Sequence, residues 1–353
     1  MRVGILTGGG DCPGLNAVIR AISLALIEQH GAEILGIERG FLGLIEGRVR
    51  PLDVAAVRGI VNEGGSLLGT HNRADPFHYF GSGGSDVSAR ALETLGRSGV
   101  DVLVAIGGDG TMTIAERFAR LGVPVVGVPK TIDNDIAHNE RSFGFDSAVA
   151  VVAESLGRLE TTARSHGRVM IVETMGRFAG WIALEGGLAG GADAILIPER
   201  GYRLEALAEQ CLKRCANQGY ALVCVAEGAR EVGGEMVLQS APGAPARLGG
   251  VGQRLMEGLQ TQLGAGSSLE IRHTLLGHLQ RGGSPTAFDR VLATRFGVQA
   301  ARMVVEGAFG RMLALQQGRC LSVPLADVAG HNRQVPEGDE LVSVAHDLGV
   351  CLG

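Results

Sequence analysis

The sequence predicts an α/β protein with two three-layer domains whose mainly parallel sheets face an active-site cleft. Three observations carry that expectation. Short continuous apolar runs, such as residues 3–6, 100–106 and 123–128, alternate with helical patterns. Strands buried on both faces read this way, with the helices as crossovers of a parallel sheet. The length of 353 residues exceeds what one hydrophobic core usually holds. The 56 glycines include repeated GG pairs between apolar runs, where tight loops and close backbone approaches are needed.

In chain order, strand 3–6 is followed by the loop TGGGDCPG and a helix over 15–28. Strands at 34–37, 100–106 and 123–128 come next. A second alternation begins near residue 147, with a helix at 148–159, strands at 169–173 and 194–197, a helix at 204–215 and a strand at 221–226. The Gly/Pro-rich stretch EVGGEMVLQSAPGAPARLGGVG, residues 231–252, reads as a loop or hairpin and as a domain boundary. In sheets of this type, ligands collect at the carboxyl ends of the strands.

Composition narrows the function. A net charge of -5 argues against a broad nucleic-acid surface. No apolar stretch is long enough to span a membrane. The six cysteines form no CxxC pair and no secretory signal precedes them, so they read as reduced thiols of a cytoplasmic protein. Arginine dominates the basic residues, which makes Lys130, one of only two lysines, conspicuous.

Five stretches carry chemistry. LTGGGDCPGLNAVIRA joins a strand to a helix through glycines, where backbone N–H groups and the helix dipole attract phosphate. It is neither a Walker loop nor a spaced GxGxxG fingerprint, and a plain tight turn is an equal reading. VAIGGDGTMTIAERFA repeats the arrangement and adds Asp109, a hard oxygen donor suited to Mg²⁺. The plain alternative there is a helix cap at Asp109. VPKTIDNDI places Lys130, Asp133 and Asp135 at a strand end. In-line phosphoryl transfer needs a base near the attacking hydroxyl and cations on the phosphate, and this loop has both; a capped turn is the competing reading. RVMIVETMGRFAGW supplies Arg168 and Arg177, and EIRHTLLGHLQRGGSP supplies Arg272, His278 and Arg281. Arginine forks suit sugar phosphates.

With GGDGT, PKTIDND, MGR and HLQRGG in this order, the chain resembles the phosphofructokinase family from residue 3 to at least residue 300. The resemblance implies two Rossmann-like domains: 1–138 plus about 252–305 for the phosphoryl donor, and 139–251 plus about 306–353 for the sugar phosphate. It implies phosphorylation of fructose 6-phosphate at its 1-hydroxyl, giving fructose 1,6-bisphosphate in glycolysis. Asp133 then matches the general base, with Thr131, Ile132 and Asp135 in the same loop and Asp135 near the metal and phosphates. Arg177 matches the residue that stabilises charge on the transferring phosphoryl group, while Met175 and Gly176 line the sugar site. Glu227 matches the carboxylate that holds sugar hydroxyls, and His278 and Arg281 match binders of the 6-phosphate. Arg168 and Arg272 match arginines that reach a neighbouring subunit's site, which implies a homo-oligomer, usually a tetramer. Gly10, Arg73, Ala74, Gly108, Asp109, Gly110 and Thr111 match the donor site, with Asp109 as the Mg²⁺ contact.

The resemblance favours ATP as donor. Family members using pyrophosphate typically carry an aspartate in place of Gly110, where it crowds the α-phosphate of ATP, and a lysine at the position of Lys130. Gly110 leaves the space open; Lys130 would bind phosphate with either donor and keeps pyrophosphate as the alternative. Sedoheptulose 7-phosphate is a possible further acceptor. Two other readings, a kinase of NAD or diacylglycerol and a non-catalytic nucleotide sensor, lack support because the TIDND loop and Arg177 are both present. Of the basic effector-site residues of familiar bacterial members, only Arg20 is retained; Leu24, Val54, Glu160, Ala216 and Gln218 stand at the others, which predicts little response to ADP or phosphoenolpyruvate.

Overall fold

The computed structural model describes residues 1–239, 247–264 and 267–353. Its strands, in chain order, are β1 (Arg2–Thr7), β2 (Glu33–Ile37), β3 (Val49–Pro51), β4 (Val102–Gly107), β5 (Val125–Pro129), β6 (Arg168–Thr174), β7 (Ala194–Leu196), β8 (Ala221–Ala226), β9 (Leu238–Gln239), β10 (Arg247–Leu248), β11 (Glu270–Leu275), β12 (Arg311–Gln316) and β13 (Arg319–Pro324). Two compact units result: Met1–Ile132, Ile136–Ser147 and Arg281–Arg333 form the first, and Asp133–Asp135, Ala148–Gln280 and Gln334–Gly353 the second.

The first unit holds a seven-stranded sheet in the order β13-β12-β5-β4-β1-β2-β3. Strands β1, β2, β4, β5 and β12 run parallel, with β3 and β13 antiparallel at the two edges. Val3, Ile5 and Leu6 on β1 and Val102 to Ile106 on β4 are buried, as strands covered on both faces require. One face packs Leu6, Leu103, Val125 and Met312 against Phe41 and Phe118. Phe118 is fully buried, and truncating such a side chain to alanine costs about 3–5 kcal/mol. Helices Leu15–His30 and Ala287–Glu306 pack closely together. A Cβ on Gly297 would lie 2.5 Å from that of Ala21, so glycine sets this approach.

The second unit is built on a four-stranded parallel sheet, β11-β6-β8-β7. Its core joins Val169, Ile171, Val223 and Val225 to Leu207 and to Val251, Leu255 and Leu259 of helix Val251–Leu263.

Several sequence expectations need correction. Residues 252–280 belong to the second unit, because β11 pairs with β6 and the preceding helix packs on the same core. Residues 306–333 belong to the first, because β12 extends its sheet through Arg311–Val126 and Met312–Gly127 pairing, and β13 pairs with β12. The first crossing also falls later than residue 138, at Ser147, apart from the excursion of Asp133–Asp135. Within the Gly/Pro-rich stretch β9 and β10 pair antiparallel inside the second unit, so it is no boundary; its residues 240–246 lie outside the described residues. Helix Phe145–His166 starts earlier and ends later than expected. Its first turn is held by Asp289, whose Oδ2 accepts from the Ser147 amide (2.8 Å) and hydroxyl (2.7 Å).

No helix among the described residues is long and apolar enough to cross a membrane. All six cysteines are unbridged, and burial pushes the Cys12, Cys211 and Cys224 thiols up to about 12.

Candidate active site

In the first unit, β1 lies between β2 and β4, so the strand order reverses at the β1–β4 pair. The crevice outside the carboxyl ends of such a pair is the usual ligand position of an open α/β sheet. Both glycine loops sit there: residues 8–14 follow β1, and Gly108 follows β4. The Gly8 amide donates to the Ile106 carbonyl (2.8 Å), which joins the two loops. A Cβ on Gly8 would come within 2.4 Å of Thr111 Oγ1, and one on Gly107 within 2.2 Å. Neither position has room for a side chain while Thr111 is present.

Helix Asp109–Arg120 starts behind Gly108, which as a glycine supplies no side-chain cap. Asp109 is the first helical residue rather than its cap, so the capped-turn alternative does not hold there. The helix start therefore presents N–H donors and a positive dipole end. Gly110 is exposed, and a Cβ added to it would meet nothing within 4 Å. Lys130 is buried, and its Nζ donates to the Gly10 carbonyl while its amide donates to Gly107 O (2.9 Å). The ammonium thus lies at the first glycine loop, and the Lys130 backbone ties to the start of the second. Arg281 also reaches this half, donating from Nη1 to the Asp11 carbonyl (3.0 Å). Ala74 is buried and Arg73 exposed.

After β5 the chain enters the loop of Thr131, Ile132, Asp133, Asn134 and Asp135, all buried. Asn134 has φ 53°, a left-handed conformation that asparagine tolerates better than most residues. Two carboxylates in a buried loop do not suit a solvated turn, because an unneeded buried charge is costly.

In the second unit, the carboxyl ends of β6, β8 and β11 carry the predicted sugar-site residues. Met175, Gly176 and Arg177 follow β6, Glu227 follows β8, and His278 follows β11. The Arg177 amide donates to Glu227 Oε1 (2.9 Å), and the Glu227 amide to the Thr174 carbonyl (2.8 Å). Arg177 has φ 54°, and a Cβ on Gly228 would lie 2.2 Å from its carbonyl oxygen. The loop is therefore fixed by its neighbours at a backbone conformation few residues adopt freely. His278 and Arg281 occupy one 3₁₀ turn, Gly277–Arg281, in which residues three apart share a face.

Arg168 and Arg272 are not brought to this edge. Arg168 opens β6, roughly 20 Å from Met175 at about 3.3 Å per residue. Both arginines instead bond Glu270, whose carboxyl they hold below its ordinary range, first through the Arg168 hydrogen bond. Sequence reasoning missed Glu270. It also missed Glu173, which is fully buried at the end of β6. Its two oxygens accept the Gly250 (2.8 Å) and Gly252 (2.9 Å) amides at the start of helix Val251–Leu263, and His273 Nε2 lies 3.6 Å away. Its place two residues before Met-Gly-Arg in ETMGR was the available signal.

Among the described residues no group of three or more His, Cys, Asp or Glu could hold a metal. A lone carboxylate such as Asp109 fits an ion carried in by phosphate oxygens, which is the usual state of Mg²⁺.

A phosphofructokinase family model matches residues 2–304. A Clostridium perfringens protein named ATP-dependent 6-phosphofructokinase 2 is 43% identical over 362 residues, covering 99% of this chain and 98% of that one. An Amycolatopsis methanolica protein named pyrophosphate–fructose 6-phosphate 1-phosphotransferase is 48% identical over 339 residues, covering 95% and 96%. The solved phosphofructokinase of Pichia pastoris superposes with a TM-score of 0.80 at 31% identity, covering 93% of this chain and 35% of that longer one. With its motifs at the carboxyl ends of strands in two mainly parallel sheets and sequence relatives matched over nearly their full length, the chain belongs to the phosphofructokinase family.

Proposed function

We propose that the chain is a 6-phosphofructokinase that transfers the terminal phosphoryl group of ATP to the 1-hydroxyl of fructose 6-phosphate. The observation that carries this is the pair of glycine loops at the ends of β1 and β4, with a helix start behind Gly108 and the Lys130 ammonium on the Gly10 carbonyl. Such a cradle suits a polyphosphate, and the open position at Gly110 suits ATP, whose α-phosphate needs that space. Gly10, Arg73, Ala74, Gly108, Asp109, Gly110, Thr111 and Lys130 hold the donor. Mg²⁺ would be held by Asp109 with the donor's oxygens, and it supplies neutralisation of phosphate charge.

Asp133 takes the proton from the attacking hydroxyl, with Thr131, Ile132 and Asp135 shaping the loop. Arg177 stabilises charge on the transferring group, with Met175, Gly176 and Glu227 on the sugar. The Arg177 amide bonds the Glu227 carboxylate between the loops after β6 and β8, which supports their joint role. His278 and Arg281 take the 6-phosphate. The distance of Arg168 and Arg272 from that edge supports their use at a neighbouring subunit's site in a homo-oligomer, a tetramer by family pattern. The reading places the enzyme in the cytoplasm, acting on small molecules without nucleic acid or membrane.

Pyrophosphate as donor is the second reading, favoured by Lys130 on the Gly10 carbonyl and by the name of the Amycolatopsis relative. The base assignment is tested by Asp133→Asn in a bisphosphate-forming assay. General-base loss should lower kcat about 10²–10⁴-fold with the sugar KM little changed; near-normal turnover refutes it.

A further inference from the structure

Beside the glycine loops, Arg73 sits in a surface cluster whose other members, His71 and Phe80, have no place in the function derived so far. Residues 66–69 lie across the ends of β1 and β2: Thr7 Oγ1 donates to the Gly69 carbonyl (2.7 Å), and the Arg39 amide donates to the Leu68 carbonyl (2.8 Å). The chain then presents His71 and Arg73. The His71 ring stacks on Phe80 at 5.4 Å between centroids with only 7° between planes. The guanidinium carbon of Arg73 stands over the same ring, 5.3 Å from its centroid. The Arg73 amide donates to His71 Nδ1 (3.2 Å).

Phe80 itself is anchored from below. The Tyr79 amide donates to Ser85 O (3.0 Å), the Gly84 amide to Tyr79 O (2.9 Å), and the Tyr79 ring packs at 4.9 Å from that of Phe80. Yet the side chain is 45% exposed, so core burial does not account for it. Among the described residues no carboxylate pairs with Arg73. Its guanidinium is ordered by the Phe80 face rather than by an ion pair, which leaves its N–H donors for an anion. Burial, then Arg39 and Arg73, hold the His71 imidazole below its ordinary range. A neutral ring is what lets Nδ1 accept the Arg73 amide.

We propose that Phe80 is a positioning residue for the phosphoryl donor. With His71 it holds the Arg73 guanidinium beside the donor loops. The inference rests on the reading of Arg73 as a donor-site residue. A side chain with many rotamers binds phosphate better when one of them is selected in advance. Phe80 supplies that selection without spending any of the guanidinium's hydrogen bonds.

The test is a double-mutant cycle of Phe80→Ala and Arg73→Ala, with Phe80→Tyr as the conservative variant. Both turnover and equilibrium binding of ATP and of pyrophosphate are measured. Phe80→Ala should raise the donor KM and Kd about two- to fivefold, the range of an exposed cation–π contact, while leaving the sugar-phosphate KM unchanged. Phe80→Tyr should restore the wild-type value, and Phe80→Ala should add nothing in the Arg73→Ala background. An unchanged donor Kd in Phe80→Ala, or an equal loss with and without Arg73, overturns the inference. Binding separates it from the functional reading. Weakened donor binding without turnover in any protein keeps the positioning role and removes the kinase. Full wild-type turnover with unchanged binding in Phe80→Ala removes the positioning role alone.

Discussion

Replacing Gly110 by aspartate separates the two donors by electrostatics without disturbing the fold. A Cβ at this position meets nothing within 4 Å, and the residue is exposed in the first turn of helix Asp109–Arg120. Leaving glycine in a helix gains a few tenths of a kcal/mol, and a carboxylate at a helix start gains about 0.3–1 kcal/mol more. The variant should therefore unfold at the wild-type temperature or slightly above it. A carboxylate roughly 5 Å from a phosphate at an effective dielectric of about 20 costs about 3 kcal/mol for ATP, or about 100-fold in kcat/KM. Pyrophosphate, with no α-phosphate in that space, should lose far less. Initial rates at saturating fructose 6-phosphate with each donor, alongside thermal melts, give both quantities. An unchanged kcat/KM for ATP in a normally folded Gly110→Asp protein would refute the reasoning.

Three further outcomes follow from the same structure. Burial pushes the Asp289 carboxyl from 3.8 up to about 6, so the native state holds a proton that the unfolded chain has released between those values. Stability should fall by about 3 kcal/mol as pH rises through that window, and Asp289→Asn should abolish the fall; parallel urea-unfolding profiles for the two proteins would contradict this. Gly8→Ala drives a methyl to 2.4 Å from Thr111 Oγ1, so it should cost about 1–3 kcal/mol and weaken donor binding, with Thr111→Ala recovering the stability on denaturant titration. Phosphoenolpyruvate and ADP should barely move the sugar-phosphate saturation curve. Arg20 already bonds the Arg58 carbonyl, Gln218 bonds Asp193, and Tyr220 bonds Glu160; a severalfold sigmoidal shift would contradict it.

Much of the fold is legible in the sequence where one residue run decides it. Strands β1, β4, β5, β6 and β8 are continuous apolar segments, and burial on both faces makes them so. The glycine loops are legible for a related reason, since only glycine fits beside Thr111. What the sequence hides is partner choice. Nothing local in EIRHTL or RMLALQ says that the first pairs with β6 and the second with β5, and this alone misplaced two segments between the units. The site shows the same limit. Glu270, Glu173 and Asp289 act on residues 102, 77 and 142 positions away, so their roles exist only after folding. The cluster around Phe80 escaped for a different reason: an exposed phenylalanine in a loop has no pattern until its ring is seen under a guanidinium.

Phosphoryl transfer from ATP to the 1-hydroxyl of fructose 6-phosphate is the reaction on which the proposed function stands. Its most direct test incubates the purified protein with fructose 6-phosphate and Mg²⁺, with ATP or pyrophosphate supplied in parallel, and follows the phosphorus signals of both products. Fructose 1,6-bisphosphate and ADP should form in equal amounts from the ATP reaction, at a rate well above that with pyrophosphate. Bisphosphate formed from pyrophosphate alone would contradict it.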